Sequence, residues 1–235
     1  MSSNFLITGT DTGIGKTTVA SVIAATFRRR GIDVGVIKPV ETGCPVGADG
    51  SLVPHDALQL RWFAGRQDAV EAVCPVRLPE PLAPTVAARR AGVQLSFDAL
   101  VAAVAAHKST CDVQLVEGAG GLLVPVAGEL SFADLAAACD LTLLVVVGNR
   151  LGCVNHAALT MHWARSLGLK IAGYIINTLQ PELDLAMQTN VELLSELLGP
   201  PLGVLPWLGP VACTDVERDR LAELGARHLR LDRLG

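Results

Sequence analysis

The run Gly9-Thr10-Asp11-Thr12-Gly13-Ile14-Gly15-Lys16-Thr17-Thr18 lies between an apolar segment, Phe5–Thr8, and a helical pattern, Lys16–Arg30. A glycine-rich turn from strand to helix leaves successive backbone N–H groups free to wrap a phosphate. The helix N-terminus adds positive potential. In this setting Lys16 is placed to reach β- and γ-phosphates, and the Thr17 hydroxyl to bind Mg2+. The common spacing G-x-x-x-x-G-K-[ST] wants glycine at position 10, where this chain has Thr10. Gly9 stands one residue earlier, so the loop is one residue longer.

Short apolar runs recur along the chain: Phe5–Thr8, Val34–Ile37, Val113–Glu117, Leu141–Val147, Ile171–Asn177 and Leu202–Leu205. Most are apolar at consecutive positions, as in strands covered on both faces. Helical patterns alternate with them: Lys16–Arg30, His55–Gly65, Phe97–His107, Phe132–Ala138, Cys153–Leu167 and Pro181–Leu198. This alternation predicts an α/β fold with a doubly wound, mostly parallel sheet and helices on both faces. With no long linker or repeat, residues 1–235 are expected to form a single domain. Ligands bind such sheets at the carboxyl ends of the strands. The Gly- and Pro-rich segment Pro39–Pro54 is read as a functional loop. Val211–Gly235 is read as a short helix or a partly frayed tail. The basic run Arg28–Arg30 is read as a helix end, where cations meet the negative pole of the dipole.

Composition narrows the function classes. A net charge of −4 and 4% aromatic residues argue against nucleic-acid binding, which wants a basic groove and stacking rings. The longest apolar stretches fall short of a membrane span, and the N-terminus lacks a basic segment followed by an apolar run. The six cysteines form no C-x-x-C pair, and their scatter fits a reducing, cytoplasmic setting.

Three further segments follow strands. Val116-Glu117-Gly118-Ala119-Gly120-Gly121 places a carboxylate at the end of a buried strand, before glycines that let the backbone approach a ligand. Such an acid needs a cation or water, so it is read as a Mg2+ ligand or as a solvated acid before a turn. Lys38-Pro39-Val40-Glu41-Thr42-Gly43 puts a second lysine over the edge that carries Lys16. It would neutralise charge on a transferring phosphoryl group, or simply end the strand in solvent. Asp56 is a helix-start acid or a second metal ligand. In Asn149-Arg150-Leu151-Gly152-Cys153-Val154-Asn155-His156 a helix start follows a strand and could hold an anion. Cys153 has no base at a recognisable spacing, so it is read as a small buried thiol. His156 and His162 miss the i,i+4 spacing of a helical metal pair.

Taken in order, G-T-D-T-G-I-G-K-T, K-P-V-E-T-G, H-D-A-L, V-E-G-A-G-G, L-G-C-V-N-H-A and P-W-L resemble the dethiobiotin synthetase family, from about residue 5 to 208. That family has a P-loop NTPase-like fold with a modified P-loop. The resemblance implies an ATP- and Mg2+-dependent ligase that closes a urea ring on 7,8-diaminopelargonic acid with CO2, through a carbamate and a carbamic–phosphoric anhydride. It implies that Gly13, Ile14, Gly15, Lys16, Thr17 and Thr18 cradle the phosphates, with Gly118, Ala119 and Gly120 beside the nucleotide. Thr17, Asp56 and Glu117 would hold Mg2+. Lys16 and Lys38 would be catalytic, and Thr12 and Thr42 would help bind substrate. Asn177, Thr178, Pro206, Trp207 and Leu208 would form the base pocket. Leu151, Gly152, Cys153, Val154 and Asn155 would receive the substrate carboxylate from the partner subunit of a homodimer. The family often has an acid near position 213, where this chain has Cys213.

Two related families fit less well. Deviant-Walker ATPases begin their loop K-G-G-x-G-K-T, and here Asp11 stands in the place of the signature lysine. Amidating synthases of the cobyrinic acid type append a glutaminase domain, for which this chain is too short.

Overall fold

The computed structural model describes residues 3–108 and 111–234. Met1, Ser2, Ser109, Thr110 and Gly235, which the predicted domain and tail include, lie outside the described residues. In chain order the elements are β1 (Ser3–Gly9), α1 (Lys16–Arg29), β2 (Val34–Ile37), β3 (Val40–Thr42), α2 (His55–Ala64), α3 (Val70–Val73), β4 (Val76–Leu78), α4 (Pro84–Arg90), α5 (Phe97–Lys108), β5 (Val113–Gly121), β6 (Pro125–Ala127), β7 (Leu130–Ser131), α6 (Phe132–Ala138), β8 (Thr142–Asn149), α7 (Cys153–Ser166), β9 (Ile171–Thr178), α8 (Leu185–Leu198), β10 (Gly203–Leu205) and α9 (Asp215–His228). A short 3-10 turn, Leu231–Arg233, follows.

Six strands form one parallel sheet in the order β10-β9-β8-β1-β5-β2. The chain leaves β1 at the centre and later returns to both of its sides, so a crevice opens beyond the carboxyl end of β1. The continuous apolar runs follow from helices on both faces. Phe5 and Ile7 of β1 pack with α1, α2 and α9, whereas Leu6 packs with α4, α5 and α6. In β8, Leu144 and Val146 face the first layer, while Val145 and Val147 pack against α7 and α8. Among the described residues, no helix is long and apolar enough to cross a membrane.

Four expectations are corrected. The segment Pro39–Pro54 contains a strand, β3, which pairs in parallel with β4 outside the main sheet. The glycines after Glu117 continue β5 to Gly121, because pairing with β1 resumes at Gly9↔Gly121 after a local irregularity. The helix expected from Pro181 starts at Leu185, where Asp184 accepts the Met187 N–H at 2.8 Å. Val211–Gly235 contains α9, a 14-residue helix capped by Thr214, whose hydroxyl accepts the Glu217 N–H. The apolar side of α9 is seated on α1, with Leu221, Ala222 and Gly225 buried. A side chain at Gly225 would run into Thr26 of α1, so the two helices meet only because that residue is glycine. Arg28 and Arg29 close the last turn of α1, as expected of the basic run.

Candidate functional site

Most predicted site segments lie at or near the carboxyl ends of sheet strands, whereas Asp56 lies in the first turn of α2. The glycine loop follows β1, Lys38 follows β2, Glu117 lies in β5, Asn149 ends β8, Thr178 ends β9 and Pro206 follows β10. Register explains the central cluster. Ile37 of β2 is opposite Val116 of β5, so the next residues on each strand, Lys38 and Glu117, come level. Lys38 Nζ donates to Glu117 Oε1 at 2.7 Å and forms a second ion pair with Asp56. The Thr17 hydroxyl donates to the same Glu117 oxygen at 2.8 Å.

These groups line a cleft of about 400 Å³ with Thr12, Gly13, Gly15, Lys16, Thr18, Thr42, Ala119 and Gly120. Gln59 and Glu41 also line it, and neither was expected from the sequence. Gly118 is not part of this wall. It faces the Phe132 ring on the far side. Ile14 contributes backbone only, since its side chain is buried in the core.

The loop is held from beneath. Gly15, at φ +82, precedes α1 and turns the chain into the helix. The Asn177 side-chain amide donates to the Ile14 carbonyl at 3.0 Å and occupies the space that a Cβ on Gly15 would need. Asn177 therefore supports the phosphate loop, a role that the base-pocket expectation did not include. Thr178 is buried at the end of β9, and Pro206, Trp207 and Leu208 follow β10, beside it. Trp207 is about half exposed.

Lys16 is only 7% exposed and donates to the Asp11 carbonyl at 3.0 Å. Burial lowers its ammonium pKa; Glu117 opposes the shift and Lys38 reinforces it. For Lys38, burial also acts to lower the pKa, but Glu117 and Asp56 outweigh it and the net shift is upward. Lys38 is thus held as a cation between two carboxylates. Glu41 Oε1 accepts the Asp56 N–H and Oε2 accepts the Ala57 N–H, both at 3.0 Å. Burial pushes its carboxyl up to about 7, against the pull of Lys38 and the Ala57 N–H. The only sequence sign of this contact was Glu41 lying next to Thr42 in K-P-V-E-T-G.

The oxygen set of Thr17, Asp56 and Glu117 suits a hard divalent cation. Among the described residues Glu117 Oε2 is buried with no hydrogen-bond partner, which leaves it available as a ligand. Few protein oxygens fit Mg2+, which keeps waters and phosphate oxygens around it.

The segment after β8 is also built firmly. Asn190 of α8 donates to Asn149 Oδ1 at 2.9 Å and to the Arg150 carbonyl at 3.1 Å. Arg150 pairs with Asp11 of the glycine loop. Gly152, at φ +89, caps α7. Leu151 is 84% exposed, whereas Cys153 is buried in the core. The Cys153 N–H donates to the Arg150 carbonyl at 3.2 Å. Burial raises the Cys153 thiol pKa, consistent with a packing role.

A central parallel sheet, a glycine loop opening α1, and lysines facing an acid on a neighbouring strand define a P-loop nucleotide-binding protein. A family model described as an AAA domain matches residues 3–213. The structure is similar to MinD from Aquifex aeolicus, with TM-score 0.56, 14% identity and 96% of each chain covered. It is also similar to a ParA family ATPase from Chlorobium tepidum, with TM-score 0.54, 14% identity, and 99% of this chain and 92% of the other covered. At these identities the likeness speaks for the fold alone.

The curated relatives are more specific. A protein of Thermodesulfovibrio yellowstonii named ATP-dependent dethiobiotin synthetase is 35% identical, covering 100% of this chain and 99% of its own length. One of the same name from Anaeromyxobacter dehalogenans is 41% identical, covering 88% and 91%. Another, from Xanthomonas campestris, is 37% identical, covering 97% of each. The chain belongs to the ATP-dependent dethiobiotin synthetases, a family of carbon–nitrogen ligases.

Proposed function

We propose that this chain forms dethiobiotin from 7,8-diaminopelargonic acid, CO2 and ATP in the cytoplasm. The observation that carries the reading is the convergence of Lys16, Lys38, Thr17 and Glu117 on one cleft beside the glycine loop. One substrate amine adds to CO2, losing a proton to give a carbamate. A carbamate oxygen attacks the γ-phosphorus, and the bond to the β-phosphate oxygen breaks to release ADP. The second amine then attacks the carbonyl carbon of the mixed anhydride. The carbon–oxygen bond breaks, phosphate leaves with the electron pair, and loss of a proton completes the ring.

The chain's own groups bind and orient. Gly13 to Thr18 present N–H groups to the phosphates, with Ala119 and Gly120 beside them. Lys16 and Lys38 stabilise negative charge on the carbamate and the phosphoryl group in flight. Thr12 and Thr42 hold the diamine end, and residues 177–178 and 206–208 hold the base. Thr17, Asp56 and Glu117 would hold Mg2+, which when bound supplies charge neutralisation on the phosphates. No protein nucleophile is needed, because phosphoryl transfer asks mainly for position and charge.

The substrate carboxylate is read as bound by residues 151–155 of a partner subunit. An apolar groove lined by Leu122, Leu123, Pro125, Leu159 and Trp163 runs from Gly9 to α7. Leu123, Leu159 and Trp163 are all at least half exposed, which supports a homodimer contact on this side. The direct test is mass-spectrometric detection of dethiobiotin from diaminopelargonate, bicarbonate, ATP and Mg2+. Absence of product while ATP is bound would overturn the reading.

A further inference from the structure

We infer that Glu41 is a positioning residue: from β3 it caps α2 and thereby fixes Asp56, the acid proposed above to hold the metal. The inference rests on that metal reading and adds a residue to it. Helix α2 begins after Pro54, which has no side-chain cap of its own. The orphan N–H groups of a first turn need an acceptor. Glu41 supplies it from fifteen residues upstream, taking the N–H of Asp56 on one oxygen and that of Ala57 on the other. Both oxygens are therefore committed to the backbone that carries the Asp56 side chain.

The same short segment begins with Lys38, whose ammonium meets the Asp56 carboxylate. The chain from Lys38 to Glu41 thus grips Asp56 twice, once by its side chain and once by its backbone. The strand that carries Glu41 is itself anchored by pairing with β4, Glu41 facing Arg77 in register. A carboxylate 4% exposed is costly unless its oxygens are used, and here both are. The Asp56 side chain by contrast is 44% exposed, so burial does not fix it; the backbone anchor and the Lys38 contact do. Such outer contacts set ligand geometry and commonly change metal affinity by 10–100-fold when removed.

The test compares Glu41→Gln, Glu41→Ala and Asp56→Asn with the unaltered full chain. The probe is Mn2+ in the presence of a non-hydrolysable ATP analogue, with free Mn2+ read by electron paramagnetic resonance. Metal-free ADP binding is measured alongside as a report on the phosphate loop. Glu41→Ala is expected to weaken Mn2+ by about tenfold or more, and Glu41→Gln by less, since its amide oxygen still accepts one N–H. Metal-free ADP binding should stay within about twofold. The near-isosteric Gln variant keeps the comparison available should the Ala variant fold poorly. If Asp56→Asn leaves Mn2+ binding unchanged, the metal reading itself is wrong. If Asp56→Asn weakens Mn2+ and both Glu41 variants bind it normally, the positioning role is wrong. An equal loss of metal-free ADP and Mn2+ binding would mean that Glu41 only maintains the fold, and would also overturn it.

Discussion

Lys38 donates to Glu117 across the gap between two adjacent parallel strands, at 2.7 Å. The side chains are 5% and 1% exposed, so this is a charge pair withdrawn from water. Removing one partner from such a pair costs about 3–5 kcal/mol, because it strands the other charge. Glu117→Gln keeps the shape and leaves Lys38 its contact with Asp56, so the lower end of that range is expected. Turnover should fall by roughly 10²-fold, because the metal that would neutralise charge on the transferring phosphoryl group is held less well. Chemical denaturation at pH 7 and a Mg2+ titration of turnover check the two parts. Unchanged stability with normal activity would make Glu117 a bystander.

Lys16 invites the opposite stability effect. Its ammonium is buried and its pKa is lowered by that burial. The nucleotide-free fold therefore tolerates the charge poorly, and Lys16→Met should melt at a higher temperature while losing turnover. The sign follows from linkage. Between the lowered folded pKa and 10.5, the unfolded chain binds the extra proton, so wild-type stability rises with pH. The advantage of Lys16→Met over wild type should shrink across that window and be greatest below it. Melting curves of both proteins without nucleotide, from neutral to alkaline pH, decide the matter. A gap that widens with pH would contradict the burial argument.

Much of this site was legible in the sequence because its residues lie at strand ends, and consecutive apolar runs mark buried parallel strands well. Lys16, Lys38 and Glu117 could be assigned to one sheet edge without coordinates. Their mutual contacts could not, since these depend on register: Ile37↔Val116 is what brings Lys38 level with Glu117. Glu41 escaped because its partners are the backbone N–H groups of residues 56 and 57, which leave no pattern in side-chain identity. Helix α9 was underestimated for another reason. It is polar on most of its surface, and its cap, Thr214 followed by Glu217, was the signal available.

Gly15 and Asn177 form a matched pair. Gly15→Ala would place a Cβ against the Asn177 amide in a left-handed backbone conformation. That combination should destabilise the protein by more than the roughly 1 kcal/mol ordinarily linked to glycine replacement, and should abolish ATP binding. Asn177→Ala frees the space but leaves the Ile14 carbonyl without its donor. It should raise the KM for ATP with a smaller loss of stability. Combining the two changes should recover part of the stability lost in Gly15→Ala alone. Strict additivity of the two losses, read by denaturation, would show that the contact is not shared.

The remaining prediction concerns the segment at the start of α7. Cys153 is its first helical residue, and its N–H already serves the Arg150 carbonyl. A substrate carboxylate would therefore be met by the next N–H groups, those of Val154 and Asn155, where the dipole end adds about 0.3–1 kcal/mol when exposed and up to ~2 when partly buried. Val154→Pro removes one of these donors in the first turn, where proline is best tolerated by a helix. The KM for diaminopelargonate should rise while that for ATP stays nearly constant, since the lost contact would be to the carboxylate, at the opposite end of the substrate from the reacting amines. If the site is shared between subunits, a Lys16→Ala subunit still offers an intact α7 start, and a Val154→Pro subunit still offers an intact phosphate loop. Mixing the two inactive or impaired proteins should then restore one complete site per heterodimer. Recovery should follow the extent of subunit exchange, measured by mass spectrometry of differently tagged chains. A mixture that exchanges fully and regains nothing would place the carboxylate site within a single subunit.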